Sequence, residues 1–315
     1  MSNGAETTAL PQPTFPLKAP GTAVVHAGPR QTPRIVSVPT RCAEQVLVLP
    51  GGTDVFAALE HSLTEFAVPG IMAEFLSGEF GHIDFVHPAY GPDAEHPMSF
   101  TEAFAVDVPA QLRHASATIG VRDGAPFCHI HASWTTSDNT IKGGHLLPGT
   151  LAGPKGLTIR LFALPDAQLI SEVDPETGFS AFAPTPTDHE ANQSKSPGLS
   201  EALETPDSVI SRVRPGEILD EAVLAVCRTA GFKSAEVVAS LGSTTGAVFT
   251  DGTAPWPAVE FTHLSGTVTG AKSAAPQVVL SGEVVDVAGE VHSGVIANGA
   301  NPVAVTFELF VRSVS

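Results

Sequence analysis

Two stretches of the chain carry the apolar period of a surface helix. Val55, Leu59, Leu63 and Phe66 fall on one stripe, and Ile218, Ala222, Ala225 and Val226 on another. Each follows a Pro-Gly pair, Pro50-Gly51 or Pro215-Gly216, and then a cap-type residue. Most of the remaining chain reads as short apolar or alternating runs broken by glycine, the pattern of strands. Ile71 to Phe85 is matched by Ala235 to Phe249, Ala115 to Gly120 by Phe261 to Gly266, and Leu157 to Leu164 by Pro302 to Val311. The same order of elements occurs twice, so the chain is expected to hold two units of one plan. A helix followed by many strands predicts an α+β class, each unit a mostly antiparallel sheet flanked by helices.

Proline and small polar residues set the expected boundaries. Residues 1–38 carry six prolines between Pro11 and Pro33 and read as an arm lying on the body. Residues 39–183 form the first domain, 184–206 a linker rich in Pro, Ser and Asn, and 207–315 the second domain.

Charge narrows the partners. Lys and Arg number 16 against 33 Asp and Glu, a formal charge of −17. Nucleic-acid binding draws affinity from clustered cations that displace counterions, and no run of four basic residues occurs, so a nucleic-acid partner is not expected. No apolar run is long enough to span a membrane, and the first 20 residues lack a signal-peptide pattern, which predicts a cytoplasmic protein. Cys42, Cys128 and Cys227 are odd in number and form no CxxC, so free thiols are expected, with Cys128 a core residue.

The chemistry concentrates in Phe127-Cys128-His129-Ile130-His131-Ala132-Ser133-Trp134. In a strand, His129 and His131 project from one face. Ser137-Asp138-Asn139 is a turn signal. A hairpin centred on Asp138 sets His131 opposite His145, bringing three imidazoles to one place. Three neutral imidazoles suit zinc or another divalent metal and leave a coordination position open. Gly143-Gly144, just before His145, is a candidate bulge that re-aims the ring.

These residues closely resemble the core motif of the PPC (plants and prokaryotes conserved) domain family: His-x-His, a short turn, then Gly-Gly-His-Leu and a Gly. Here they stand as His129-Ile130-His131, Ser137-Asp138-Asn139 and Gly143-Gly144-His145-Leu146. Glu172 to Phe179 resembles the family's acidic closing segment. The resemblance covers about 45–183 and, more weakly, 209–315 through Arg214-Pro215-Gly216-Glu217, Leu264-Ser265-Gly266 and Asn301-Pro302-Val303. It implies an antiparallel sheet with flanking helices, assembly as a homotrimer, and metal on the three histidines. Plant members associate with DNA through a separate Arg-Gly-Arg hook, which is missing here. Matching the second copy to the motif puts Val295 at the third ligand and Ser281 and Glu283 near the first two, so that copy should be metal-free. His114 falls where the family has Glu, a position that Glu260 fills in the second copy when both are counted back from Gly120 and Gly266.

Beyond the three ligands, His114, His82 and Glu79 are candidate catalytic groups, and Arg113 and Tyr90 candidate substrate contacts. Arg113 offers a planar fork for a carboxylate; Tyr90 sits in a segment longer in the first copy than in the second. The first functional expectation is a zinc-dependent hydrolase or lyase acting on a small carboxylate-bearing metabolite. The alternative is a non-catalytic metal-binding regulatory or ligand-binding module; a DNA-binding accessory protein ranks third.

Overall fold

A computed structural model describes residues 13–106, 109–187 and 205–314. Residues 1–12 of the expected arm and 188–204 of the expected linker lie outside the described residues.

The periodic stripes become helices α1 (Val55–Glu65) and α2 (Leu219–Ala230). Asp54 caps α1, accepting the Ala57 N–H at 3.0 Å. α2 differs from expectation. Its N-cap is Ile218 without a side-chain bond, and its buried stripe is Leu219, Ala222, Val223, Val226 and Cys227, leaving Ala225 outside. Asp220 and Glu221 in its first turn and Gly231 at φ +80° after its last supply the end signals instead. One helix lies in each unit and the described residues are otherwise dominated by strands, so the architecture is predominantly β rather than α+β with flanking helices.

In the N-terminal sheet the strands run, in spatial order, Ser180–Pro186, Ala167–Val173, Ala110–Arg122, Ala125–Thr135, Ile141–Ala163, Ile71–Val86 and Phe104–Val106. Ile71–Val86 also pairs with Ala110–Arg122, so four strands close on themselves around a core of Leu59, Ile83, Trp134 and Ile159. Pairing is antiparallel apart from one parallel contact, Ile170 to Val121. The C-terminal unit repeats the plan with Ser208–Val213, Val303–Ser313, Val259–Thr269, Gln277–Val285 and Val291–Val295. The stretch Ala235 to Phe249, matched in the sequence to Ile71 to Phe85, forms three short strands, Ala235–Val237, Leu241–Thr244 and Ala247–Val248, where its counterpart lies within one long strand. Each unit has its own core, and a third cluster with Met72, Phe162, Leu241 and Phe310 packs between them.

Residues 13–40 are more than a covering arm. Ile35–Thr40 is the edge strand of the C-terminal sheet, paired antiparallel with Ser208–Val213. Phe15 and Val24 are buried in a fourth cluster with Met98 and Trp256. The chain thus crosses to the second unit before it builds the first.

Candidate metal centre

The hairpin forms in the expected register. Ala125–Thr135 pairs with Ile141–Ala163, and His131 faces His145. Asn139 takes φ 64° in the turn, and Asp138 accepts the Thr140 N–H at 3.1 Å. No bulge occurs at Gly143-Gly144: the pairing from Ile141 to His145 is unbroken. These glycines serve close approach instead. A Cβ on Gly143 would collide with Val285 of the C-terminal unit, and one on Gly144 with the Val86 carbonyl.

One potential ligand atom from each of His129, His131 and His145 lies within 4.8 Å of the others. The Nε2 atoms of His129 and His131 are 3.0 Å apart. Both Nδ1 atoms are committed: that of His129 lies 3.0 Å from the Glu308 carboxylate and that of His131 3.0 Å from the Phe261 carbonyl. These acceptors require N–H on Nδ1, so the two neutral rings aim lone pairs at each other. Only a cation between them, a proton or a metal, removes that repulsion. His145 adds a buried Nδ1 with no hydrogen-bond partner. The donor set therefore fits a metal ion, and each Nδ1 contact has the form of the outer hydrogen bond that fixes a ligating imidazole.

The carboxylates come from the C-terminal unit. Glu308 is buried and also accepts from the Thr118 hydroxyl. Burial pushes its pKa up, but the attraction of His129 with the bonds from His129 and Thr118 prevails, and the net direction is down. Glu260 Oε1 is 3.4 Å from His131 Nε2, and its Oε2 is buried without a partner. Burial would lower the His131 pKa, yet the Glu260 charge and hydrogen bond more than offset it and raise it. His145 goes the other way, held well below the ordinary range by burial and then by the His129, His131 and Arg122 charges. Without a metal, then, the surroundings favour a proton on His131 and disfavour one on His145.

A cleft of about 440 Å³ opens over the cluster, between the hairpin and the C-terminal unit. Its walls include Phe56, Met98, Phe100, Phe127, Phe179 and Phe182. Cys128 borders it but is buried, and burial raises its thiol well above the ordinary range, which makes it a core residue rather than a nucleophile.

None of the five other candidates lines this cleft. His114 stacks on His263 with ring centroids 4.5 Å apart. Its counterpart in the second unit is His263, not Glu260: His114 pairs with Ser133 and His263 with Glu283, one residue past a register shift in each strand. Counting back from Gly120 and Gly266 misaligned the copies because these two glycines are not equivalent. Glu79 is ion-paired to Lys155 Nζ at 2.8 Å, and His82 lies 3.1 Å from Asp84. Arg113 bonds Glu283 at 2.8 Å and so ties the two units together. Tyr90 packs edge-on against Phe15, their centroids 6.5 Å apart. The second copy also shifts by two residues: Ser281 faces Val295, so Val279 and Ser281, rather than Ser281 and Glu283, stand where His129 and His131 stand in the first. The conclusion that this copy lacks the three histidines is unchanged.

The histidine stack makes a pH prediction. Burial, followed by the facing His114, pushes His263 down to about 4. Its unfolded value is about 6.5, so the unfolded chain binds the extra proton first. The group's contribution is full above about pH 6.5 and is lost as the pH falls toward the folded value. In melting curves between about pH 7 and 4.5, His263→Gln should show a shallower acid decline than the wild type; parallel declines would contradict this origin.

The sequence pattern of the Plants and Prokaryotes Conserved (PCC) domain matches residues 37–162 and again 201–315. The chain belongs to this family, as a tandem of two copies. Among solved structures it is similar to a plant- and prokaryote-conserved (PPC) protein from Pyrococcus horikoshii, with 14% identity, TM-score 0.37, and coverage of 45% of this chain and 93% of that one. It is also similar to a metal-containing protein from Archaeoglobus fulgidus, with 20% identity, TM-score 0.37, and coverage of 47% and 97%. A candidate DNA-binding protein from Ralstonia eutropha JMP134 shows 20% identity, TM-score 0.37, and coverage of 45% and 95%. The search of curated proteins found no match.

Proposed function

We propose that this chain is a metal-centred ligand-binding module of PPC type. It holds one divalent ion, zinc by donor preference, on His129, His131 and His145, with the C-terminal copy, which lacks this histidine trio, serving as a partner domain. The observation that carries this reading is the pair of Nε2 atoms 3.0 Å apart on rings whose Nδ1 atoms are already committed. Bound zinc supplies an electrophilic position open to a ligand atom. Glu308 would orient His129 and Glu260 would supply negative charge beside the ion, while the aromatic walls give the cleft an apolar lining. The formal charge of −17 works against a duplex-DNA partner.

Zinc affinity, measured by competition with a chromophoric chelator, tests the assignment of roles. Glu308→Gln should weaken zinc by about 10–100-fold, the usual effect of losing an outer carboxylate, and His145→Ala should weaken it further. Equal affinity in all three proteins would refute the site.

One observation favours the hydrolase or lyase reading: Glu260 lines the cleft beside His131 with its Oε2 unpaired, a carboxylate that could serve as a general base. That reading requires zinc-dependent turnover of an activated ester that Glu260→Gln removes. The binding module requires none.

A further inference from the structure

Arg122, at the end of strand Ala110–Arg122, lines the same cleft as the three histidines. Its guanidinium lies 3.7 Å from the centre of the Phe127 ring, and its Nε and Nη2 donate to Ser171 Oγ at 3.2 and 3.1 Å. Stacking and two bonds to one hydroxyl hold the planar fork in place. Among the described residues no carboxylate pairs with it, in a chain where acids outnumber bases 33 to 16. Its charge also reaches His145, whose buried Nδ1 has no partner.

We infer that the cleft takes a monocarboxylate with a compact apolar body, its carboxylate held between Arg122 and the metal position and its body against the aromatic wall. This inference rests on the metal-binding reading above. Charge selects the head group. A divalent ion is matched by the carboxylates of Glu260 and Glu308, and Arg122 remains the uncompensated charge, so one anionic group neutralises the cleft. A carboxylate, with two oxygens in one plane, also matches the Nη1–Nη2 end of the guanidinium, which the bonds from Nε and Nη2 to Ser171 leave open. Phosphate would bring close to two charges and demand hydration that these walls cannot give. The body is selected by Phe56, Phe100, Phe179 and Phe182, and about 440 Å³ is at the small end of ligand sites.

The test uses the zinc-loaded full chain and phenylacetate, with phenylacetamide as the neutral counterpart and phenyl phosphate as the competing anion, by calorimetric titration up to about 10 mM. Phenylacetate should bind about tenfold or more tightly than the amide. Arg122→Gln should remove that difference with zinc content unchanged, and Arg122→Lys should restore part of it. Equal binding of acid and amide, preference for phenyl phosphate, no binding of phenylacetate, or an unaltered Arg122→Gln protein each overturns the inference. Zinc content is measured in every sample. A zinc-bearing chain that ignores phenylacetate defeats this inference alone; a chain that takes up no zinc defeats the metal reading, and with it this one.

Discussion

Restoring zinc to the chelator-stripped chain should raise its unfolding free energy by about 2.7 kcal/mol when free zinc stands one hundredfold above Kd. His145→Ala should erase that gain. Only the folded chain gathers the three rings, because His145 reaches the other two through the hairpin pairing and Glu260 and Glu308 arrive from the other unit. In the stripped protein the Glu260 charge favours a proton on His131, whose Nε2 lies 3.0 Å from that of His129. Zinc must displace that proton, so uptake at neutral pH should release protons and weaken as the solution is acidified. Calorimetric melting with and without zinc reads the first effect. A melting temperature indifferent to zinc would show that the rings do not act together.

Asp174→Ala should cost about 3–5 kcal/mol, the penalty for removing one partner of a buried ion pair. Asp174 is buried in the turn after strand Ala167–Val173. Its Oδ2 accepts from Arg212 and, at 2.8 Å, from Arg214, both of the C-terminal unit, while its Oδ1 accepts the Glu176 N–H at 2.7 Å. Burial and then the neighbouring Arg214 charge lower Arg212 to about 10. With Asp174 gone, two guanidiniums face each other with Arg212 out of water. Glu176 extends the network through Arg34 at 2.6 Å, so the first unit, the N-terminal segment and the second unit meet here. The double variant Asp174→Ala, Arg212→Met should recover part of the loss in denaturant unfolding, because it removes the stranded charge. A single-variant loss below about 1 kcal/mol would place the pair among weakly contributing surface bridges.

The hairpin was legible because its physics is local. A turn residue fixes the register, the register fixes the faces, and three rings follow. The resemblance to the PPC motif was visible for the same reason, since its residues are adjacent in sequence. The carboxylates were not legible as part of the site, because Glu260 and Glu308 lie far along the chain and reach His131 and His129 only when the two units pack. A signal did exist. Glu308 is the lone charge in the apolar run Val303 to Val311, and a charge placed there needs a buried partner. Arg122 gave no comparable signal, and Arg113, the arginine offered as a substrate contact, pairs with Glu283 instead. His82, Glu79 and Tyr90 were singled out from nearby glycines and a long loop, features that say little about which way a side chain points. The edge strand Ile35–Thr40 was hidden among prolines that suggested only an arm.

Metal analysis joined to X-ray absorption on the zinc-loaded chain tests the central claim most directly. The account predicts one zinc per chain with imidazole nitrogen at about 2.0–2.1 Å, and loss of that signal in the His131→Ala, His145→Ala double variant. A chain that binds no zinc, or a double variant that keeps the full complement in the same nitrogen environment, would contradict it.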